Sequence, residues 1–193
     1  MKYKIGVFGS NAQELDAHVI EKAKQVGKEL AKYDIILITG GSSGVPYLVA
    51  YEAAKKGIEA WGYSPVVNIK DQKIFAPNDD ISIYKRLIFI PKNFEFSSDP
   101  QVSKKYRNVI STANCHAGII ISGRWGTLNE FTNLYDMGKV IGVLTHTGGI
   151  ADQLLVLTQK ISKKSKAKVI FNNSPRELVI NIIKELNDRI RGL

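Results

Sequence analysis

The chain has a single cysteine, Cys115, so no disulfide can form within it. Its three histidines, His18, His116 and His146, share no metal-ligand spacing with Cys115 or with any carboxylate, and no metal site is expected. No Ser-His-Asp or Cys-His arrangement points to a covalent nucleophile. No stretch approaches the roughly 18 consecutive apolar residues of a membrane span. The opening "MKYKIGVFGS" has no cleavable apolar core, so no signal peptide is expected. These absences point to the cytoplasm and to no membrane partner. A G-x-G-x-x-G is also missing after the first apolar run, and no acidic residue closes the second, which argues against a dinucleotide site.

Acidic residues are the scarcer charge, 18 against 27 basic ones, and the net charge of +9 favours anionic partners. The lysines sit at helical surface spacing (Lys22, Lys24, Lys28, Lys32) or in one tail (Lys160, Lys163, Lys164, Lys166, Lys168). No aromatic residues interleave with either group, so a platform for single-stranded nucleic acid is not expected. The excess reads first as a solvated surface.

What remains is an alternation. Short apolar runs at 4–9, 34–41, 58–63, 86–91, 117–122, 139–144 and 167–171 read as strands. Amphipathic stretches at 12–32, 45–57, 98–114, 127–137, 149–163 and 175–190 read as helices. The stripe Ala12, Leu15, Val19, Ala23, Val26, Leu30 marks the first helix; Val102, Tyr106, Val109, Ile110, Ala113 mark the expected buried face of 98–114. Asp99 with Pro100, and Ser174 with Glu177, read as helix starts. Residues 64–85, with Pro65 and Pro77, read as irregular. Strands that are apolar throughout, alternating with helices, imply an α/β fold: a doubly wound, Rossmann-like, mostly parallel sheet with helices on both faces. At 193 residues without a composition break, a single domain over 1–193 is expected.

In such a fold ligands sit at the carboxyl edge of the sheet. Four glycine-bearing turns fall there: "FGSN" (8–11), "TGGSSG" (39–44), "SGRWGT" (122–127) and "THTGG" (145–149). Glycines let backbone N–H groups approach an anion, and a following helix N-terminus adds partial positive charge. Gly9, Ser10, Gly40, Gly41, Ser42, Gly44, Gly123, Arg124, Gly126 and Thr127 are therefore the candidate phosphate or nucleotide ligands. Thr127 and Glu130 also fit a capping box, with Thr127 as N-cap. On 98–114, Ser103, Arg107, Ser111 and Asn114 make a small polar face where one long cation could reach an anion.

At these residues the chain resembles the "lonely guy", lysine-decarboxylase-like superfamily of nucleoside 5′-monophosphate phosphoribohydrolases. Those proteins carry an Arg-Lys pair on a helix, an apolar strand, and P-G-G-x-G-T-x-x-E. Here Arg107-Asn108 aligns with the pair, "AGIII" with the strand, and Ser122 to Glu130 with the motif, without a gap. "TGGSSGVP" resembles the second glycine cluster. The likeness covers most of the chain and is weakest from about 64 to 96. Asn108, Ser122 and Arg124 depart from the pattern in the manner of a sister branch of Rossmann nucleotide-binding proteins near the molybdenum-cofactor carriers. The resemblance implies Arg107 and Glu130 as the catalytic pair and the glycine-threonine loop on a 5′-phosphate. It implies N-glycosidic bond hydrolysis, or a non-catalytic carrier of a phosphorylated cofactor such as molybdenum cofactor, or, more weakly, single-stranded DNA binding. The ligand implied is a phosphorylated small molecule, a nucleoside monophosphate or molybdenum cofactor, with no other cofactor required. A homo-oligomer, dimer or tetramer, is implied as well.

Overall fold

A computed structural model of the protein describes residues 2–11, 15–161 and 163–192. Seven strands among these residues form one sheet: β1 (Tyr3–Gly9), β2 (Ile35–Thr39), β3 (Glu59–Tyr63), β4 (Tyr84–Ile88), β5 (Ala117–Ile121), β6 (Val140–Leu144) and β7 (Lys168–Asn172). Their order is β4-β3-β2-β1-β5-β6-β7, and every neighbouring pair is parallel. The expected α/β architecture is what forms, with the sheet wholly parallel.

Among the described residues seven helices connect or flank the strands: α1 (Ala17–Leu30), α2 (Val45–Ala54), α3 (Ile69–Phe75), α4 (Pro100–Ala113), α5 (Trp125–Asp136), α6 (Leu154–Lys160) and α7 (Pro175–Arg191). Two apolar layers cover the sheet. Val19, Ala23, Val26 and Leu30 of α1, Val49 and Ala53 of α2, and Leu178 and Ile182 of α7 pack on one face. Phe131 and Leu134 of α5 and Leu154 of α6 pack on the other. A strand covered on both sides must be apolar at every position, which is why β5 and β6 are buried throughout.

From β1 the chain winds outward through β2, β3 and β4, then crosses back to lay β5 on the opposite side of β1, with Gly9 paired to Ile121. The loops after β1 and β5 therefore diverge at this seam. That divergence opens a crevice at the carboxyl edge of the sheet.

Several sequence expectations need correction. Residues 64–85 contain α3 and a 3-10 turn, Ile81–Ile83, and β4 begins within that stretch at Tyr84. Asn68 starts α3 by accepting from the Asp71 N–H at 3.0 Å, a short cap that Pro65 and Pro77 obscured. The helix expected at 149–163 is confined to Leu154–Lys160: Gly148 and Gly149 take φ of 72° and 59°, outside the helical region, and Ile150 and Ala151 tie the turn to the Gly123 and Ser122 carbonyls. Helix α1 begins at Ala17, and the Ala12 of its expected stripe lies outside the described residues. The stripe expected to be buried on α4 is not: Val109 is 42% exposed, while Ser103, Asn108, Ser111 and Thr112 face inward. Asp99 caps α4 as read, accepting from Gln101 and Val102.

Candidate functional site

The crevice at the seam is a cavity of about 390 Å³. Gly9 and Asn11 of the loop after β1, Gly40 and Ser42 after β2, one face of α4, and the start of α5 form its walls.

The start of α5 supplies backbone donors. Its first internal bond runs from Leu128 N–H to Arg124 carbonyl, so Trp125, Gly126 and Thr127 carry N–H groups with no partner inside the helix. Gly123 turns the chain into this helix with φ of 96°, and the Thr127 side chain packs where a Gly123 Cβ would stand. Thr127 is thus the third residue of the helix, not its N-cap. Arg124 occupies the N-cap position with no side-chain cap bond. The capping-box reading of Thr127 and Glu130 is therefore corrected: Thr127 is held on Gly123, and Glu130 turns inward.

Glu130 is 6% exposed and its Oε1 lies 3.6 Å from Arg107 Nη1. That spacing is a loose ion pair without hydrogen-bond contact. Burial pushes the Glu130 carboxyl up to about 7, against the pull of Arg107 and Lys105. Burial likewise lowers the Arg107 pKa, opposed by Glu130. Both partners shift toward neutrality, so their mutual attraction does not offset desolvation. The Asn108 amide stands 3.1 Å from Glu130 Oε1; with its nitrogen on that side it donates to the carboxylate and to the Lys104 carbonyl. That orientation goes with the ionised carboxylate; the reverse one, in which the amide donates to Asn129 Oδ1 at 3.1 Å, goes with the protonated carboxyl, which can donate to the Asn108 oxygen.

The Arg107 guanidinium lies directly on Gly40, where a Cβ would collide with Nη1. Its buried Nε has no hydrogen-bond partner among the described residues. A buried guanidinium donor left open beside free backbone N–H groups suits an incoming anion. Arg124 reaches across the mouth, its Nη2 donating to Asn11 Oδ1 at 3.1 Å.

Of the residues expected from sequence, Gly9, Gly40, Ser42, Arg107, Arg124, Gly126, Thr127 and Glu130 meet at this cavity. Ser10, Gly41, Gly44 and Gly123 do not line it. Gly41 is turned toward Gln72, which donates to its carbonyl at 2.8 Å, and Gly44 packs on Ser10 as the N-cap of α2. The fourth glycine turn also stays outside. It braces the loop after β5 instead: Gly149 packs on Gly123, and the Thr147 hydroxyl accepts from Ser122 N–H at 2.8 Å. That bond explains one departure from the resembling motif. Ser122 has φ of 52° and uses its N–H, neither of which a proline allows.

Sequence reading missed Asn11, Pro46, Gln101, Lys104, Lys105 and Trp125 as lining residues. Gln101, Lys104, Lys105 and Asn108 recur at helical spacing on the face that carries Arg107, and that spacing was the available signal. Among the described residues no group of three or more His, Cys, Asp or Glu could hold a metal, and no helix is long and apolar enough to cross a membrane.

A parallel doubly wound sheet with an anion-suited crevice at its switch point defines a Rossmann-like protein. The chain belongs to the SLOG cluster4 family, whose model matches residues 2–179. No curated protein matches it. Among solved structures it is similar to TM1055, a Northeast Structural Genomics Consortium target, with TM-score 0.76 and 20% identity over 96% of this chain and 99% of that one. It is similar to the molybdenum cofactor binding protein of the phototrophic bacterium Rippkaea orientalis, with TM-score 0.67 and 20% identity over 96% and 98%. It is also similar to DNA processing protein A of Helicobacter pylori, a single-stranded DNA binder, with TM-score 0.66 and 18% identity over 95% and 81%. These likenesses concern the fold.

Proposed function

We propose that the chain binds a nucleoside 5′-monophosphate in the crevice and hydrolyses its N-glycosidic bond. The observation that carries this reading is Glu130: a buried carboxyl raised to about 7, on the cavity wall, 3.6 Å from a guanidinium. A carboxyl near neutrality can take or give a proton at working pH. The phosphate lies against the N–H groups of Gly126 and Thr127, and Arg107 and Arg124 neutralise it. The C1′–N bond breaks with its electron pair leaving on the base, and positive charge grows on the ribose. Ionised Glu130 stabilises that charge and takes the proton of the water that adds to C1′; the proton passes on to the departing base. The proposed unit is one domain, acting in the cytoplasm as a dimer or tetramer.

The test is chromatographic detection of free base after incubation with AMP, GMP, CMP and UMP. Wild type should release base from at least one of them. Glu130→Gln should abolish release while changing affinity by less than about tenfold, or 1.4 kcal/mol. No release from any monophosphate sinks the hydrolase reading.

Arg124 supports a second reading, a carrier without turnover. A guanidinium bonded to Asn11 across the mouth strengthens ground-state binding, which by itself adds nothing to a rate. The fold is that of a molybdenum cofactor binding protein, and the open Nε of Arg107 fits the phosphate of such a ligand. Arg107 and Arg124 would hold it. For a carrier, Arg124→Gly should weaken binding of a pterin phosphate by about 1.5–3 kcal/mol, the worth of a charged hydrogen bond. Equal affinities would remove the support for this reading.

A further inference from the structure

The chain has two tryptophans, and they live differently. Trp61 is satisfied: its Nε1 donates to Glu59 at 2.7 Å, and Lys4 and Arg86 sit over its ring at 5.0 and 4.6 Å. Trp125 is 82% exposed, more than any other large hydrophobic residue described. It is also a wall of the cavity. An indole left in water forgoes the burial that large aromatic side chains ordinarily gain. Its backbone is nonetheless fixed, because it is the first residue of α5, between the arginine at the mouth and Gly126. Beside it the site is open: outside the helix's own backbone and the two neighbouring residues, no atom lies within 4 Å of where a Gly126 Cβ would stand. Gln101, whose amide both donates and accepts, and Lys104 line the same cavity from α4.

An aromatic side chain on a fixed backbone, open space next to it, and polar groups lining the same cavity suit a flat heteroaromatic ring. The ring's face would lie on the indole while its edge meets hydrogen-bonding side chains. Stacking of this kind tolerates many rings, because each has a π-face. We infer that Trp125 is the stacking surface for a planar ring of the same ligand whose phosphate lies at the start of α5. This rests on the phosphate-binding reading, and it adds the group that recognises the ring: Trp125 would select a phosphate joined to a nucleobase-like or pterin-like ring over a bare sugar phosphate.

The experiment compares 5′-AMP with ribose 5-phosphate, which keeps the phosphate and sugar and lacks the ring, in a Glu130→Gln background that leaves AMP intact. Calorimetric titration should show that protein binding AMP about tenfold or more tighter, in the range of one stacked base. Trp125→Ala should bind the two ligands alike, and Trp125→Phe should restore part of the preference. In a Trp61→Phe background, where Trp125 is the only indole and can be excited apart from the tyrosines, AMP should change its fluorescence saturably and ribose 5-phosphate should not. If both ligands bind with the same affinity, or if Trp125→Ala keeps the preference, the stacking role is overturned while the phosphate site stands. If neither binds, the phosphate reading fails and the stacking role falls with it. If Trp125 emission shifts with protein concentration alone, and Trp125→Ala dissociates an oligomer, the indole is a contact between copies and the inference is wrong.

Discussion

Replacing Glu130 by glutamine should change how the stability of the ligand-free protein depends on pH. The carboxyl has an ordinary value of 4.5 and stands at about 7 in the folded protein, chiefly because it is buried. The folded state therefore holds the Glu130 proton more tightly than the unfolded state does. That contribution is fully present below pH 4.5 and is lost as pH rises through about 7. The gap between the two values corresponds to about 3 kcal/mol, at about 1.4 kcal/mol per pH unit. Arg107 stays cationic throughout this window, so its attraction is already contained in the folded value. The glutamine variant has nothing to titrate at this position, and all other groups cancel when the two proteins are compared. Urea unfolding of both, from about pH 4.5 to about pH 8, gives the difference directly. Wild type should lose about 3 kcal/mol relative to Glu130→Gln across that range. A difference that stays flat, or that moves in favour of wild type as pH rises, would contradict a carboxyl held neutral by burial. It would mean that Arg107 pairs the carboxylate fully despite the 3.6 Å separation.

Three further outcomes follow from the same geometry. Gly126→Ala places a methyl in open space within a helix, so it should raise stability by about 0.5–1 kcal/mol while weakening AMP binding at least tenfold; thermal melts and calorimetry check the opposite signs. Ser122→Pro should destabilise by about 3 kcal/mol or more, since it loses the Thr147 bond and cannot adopt φ of 52°, whereas Ser122→Gly should be neutral or stabilising in urea unfolding. Gly40→Ala should displace the Arg107 guanidinium it would strike, and AMP affinity should fall about as far as in Arg107→Ala. An affinity unchanged in Gly40→Ala would show that Arg107 does not hold the ligand.

The parallel sheet was legible because strands buried on both faces leave an unbroken apolar run, as "AGIII" does. The site was legible in part because its glycines lie at strand ends. Other features followed rules that hold elsewhere and fail here. Helix α4 turns Ser103, Asn108, Ser111 and Thr112 inward, so a stripe chosen for hydrophobicity picks its wrong face. Of these only Asn108 lines the crevice; the Ser103, Ser111 and Thr112 hydroxyls are buried by donating to the Phe96 and Asn108 carbonyls, which lets small polar residues take an inward face. Thr127 and Glu130 match a capping box in sequence, yet φ at Gly123 moves the helix start forward and frees Glu130 to meet Arg107. Only the resemblance paired those two residues, because neither periodicity nor spacing carries a contact between separate helices. Ser10, Gly41 and Gly44 were named for residue type, and their backbone bonds show them shaping loops beside the cavity.

The most direct measurement is a crystal structure of the Glu130→Gln variant grown with 5′-AMP. The phosphate should lie within hydrogen-bond distance of the Gly126 and Thr127 N–H groups, with Arg107 Nε or a terminal nitrogen turned onto it and the side chain at position 130 facing the ribose. A phosphate bound elsewhere, with side chains closing the start of α5, would contradict the proposed site.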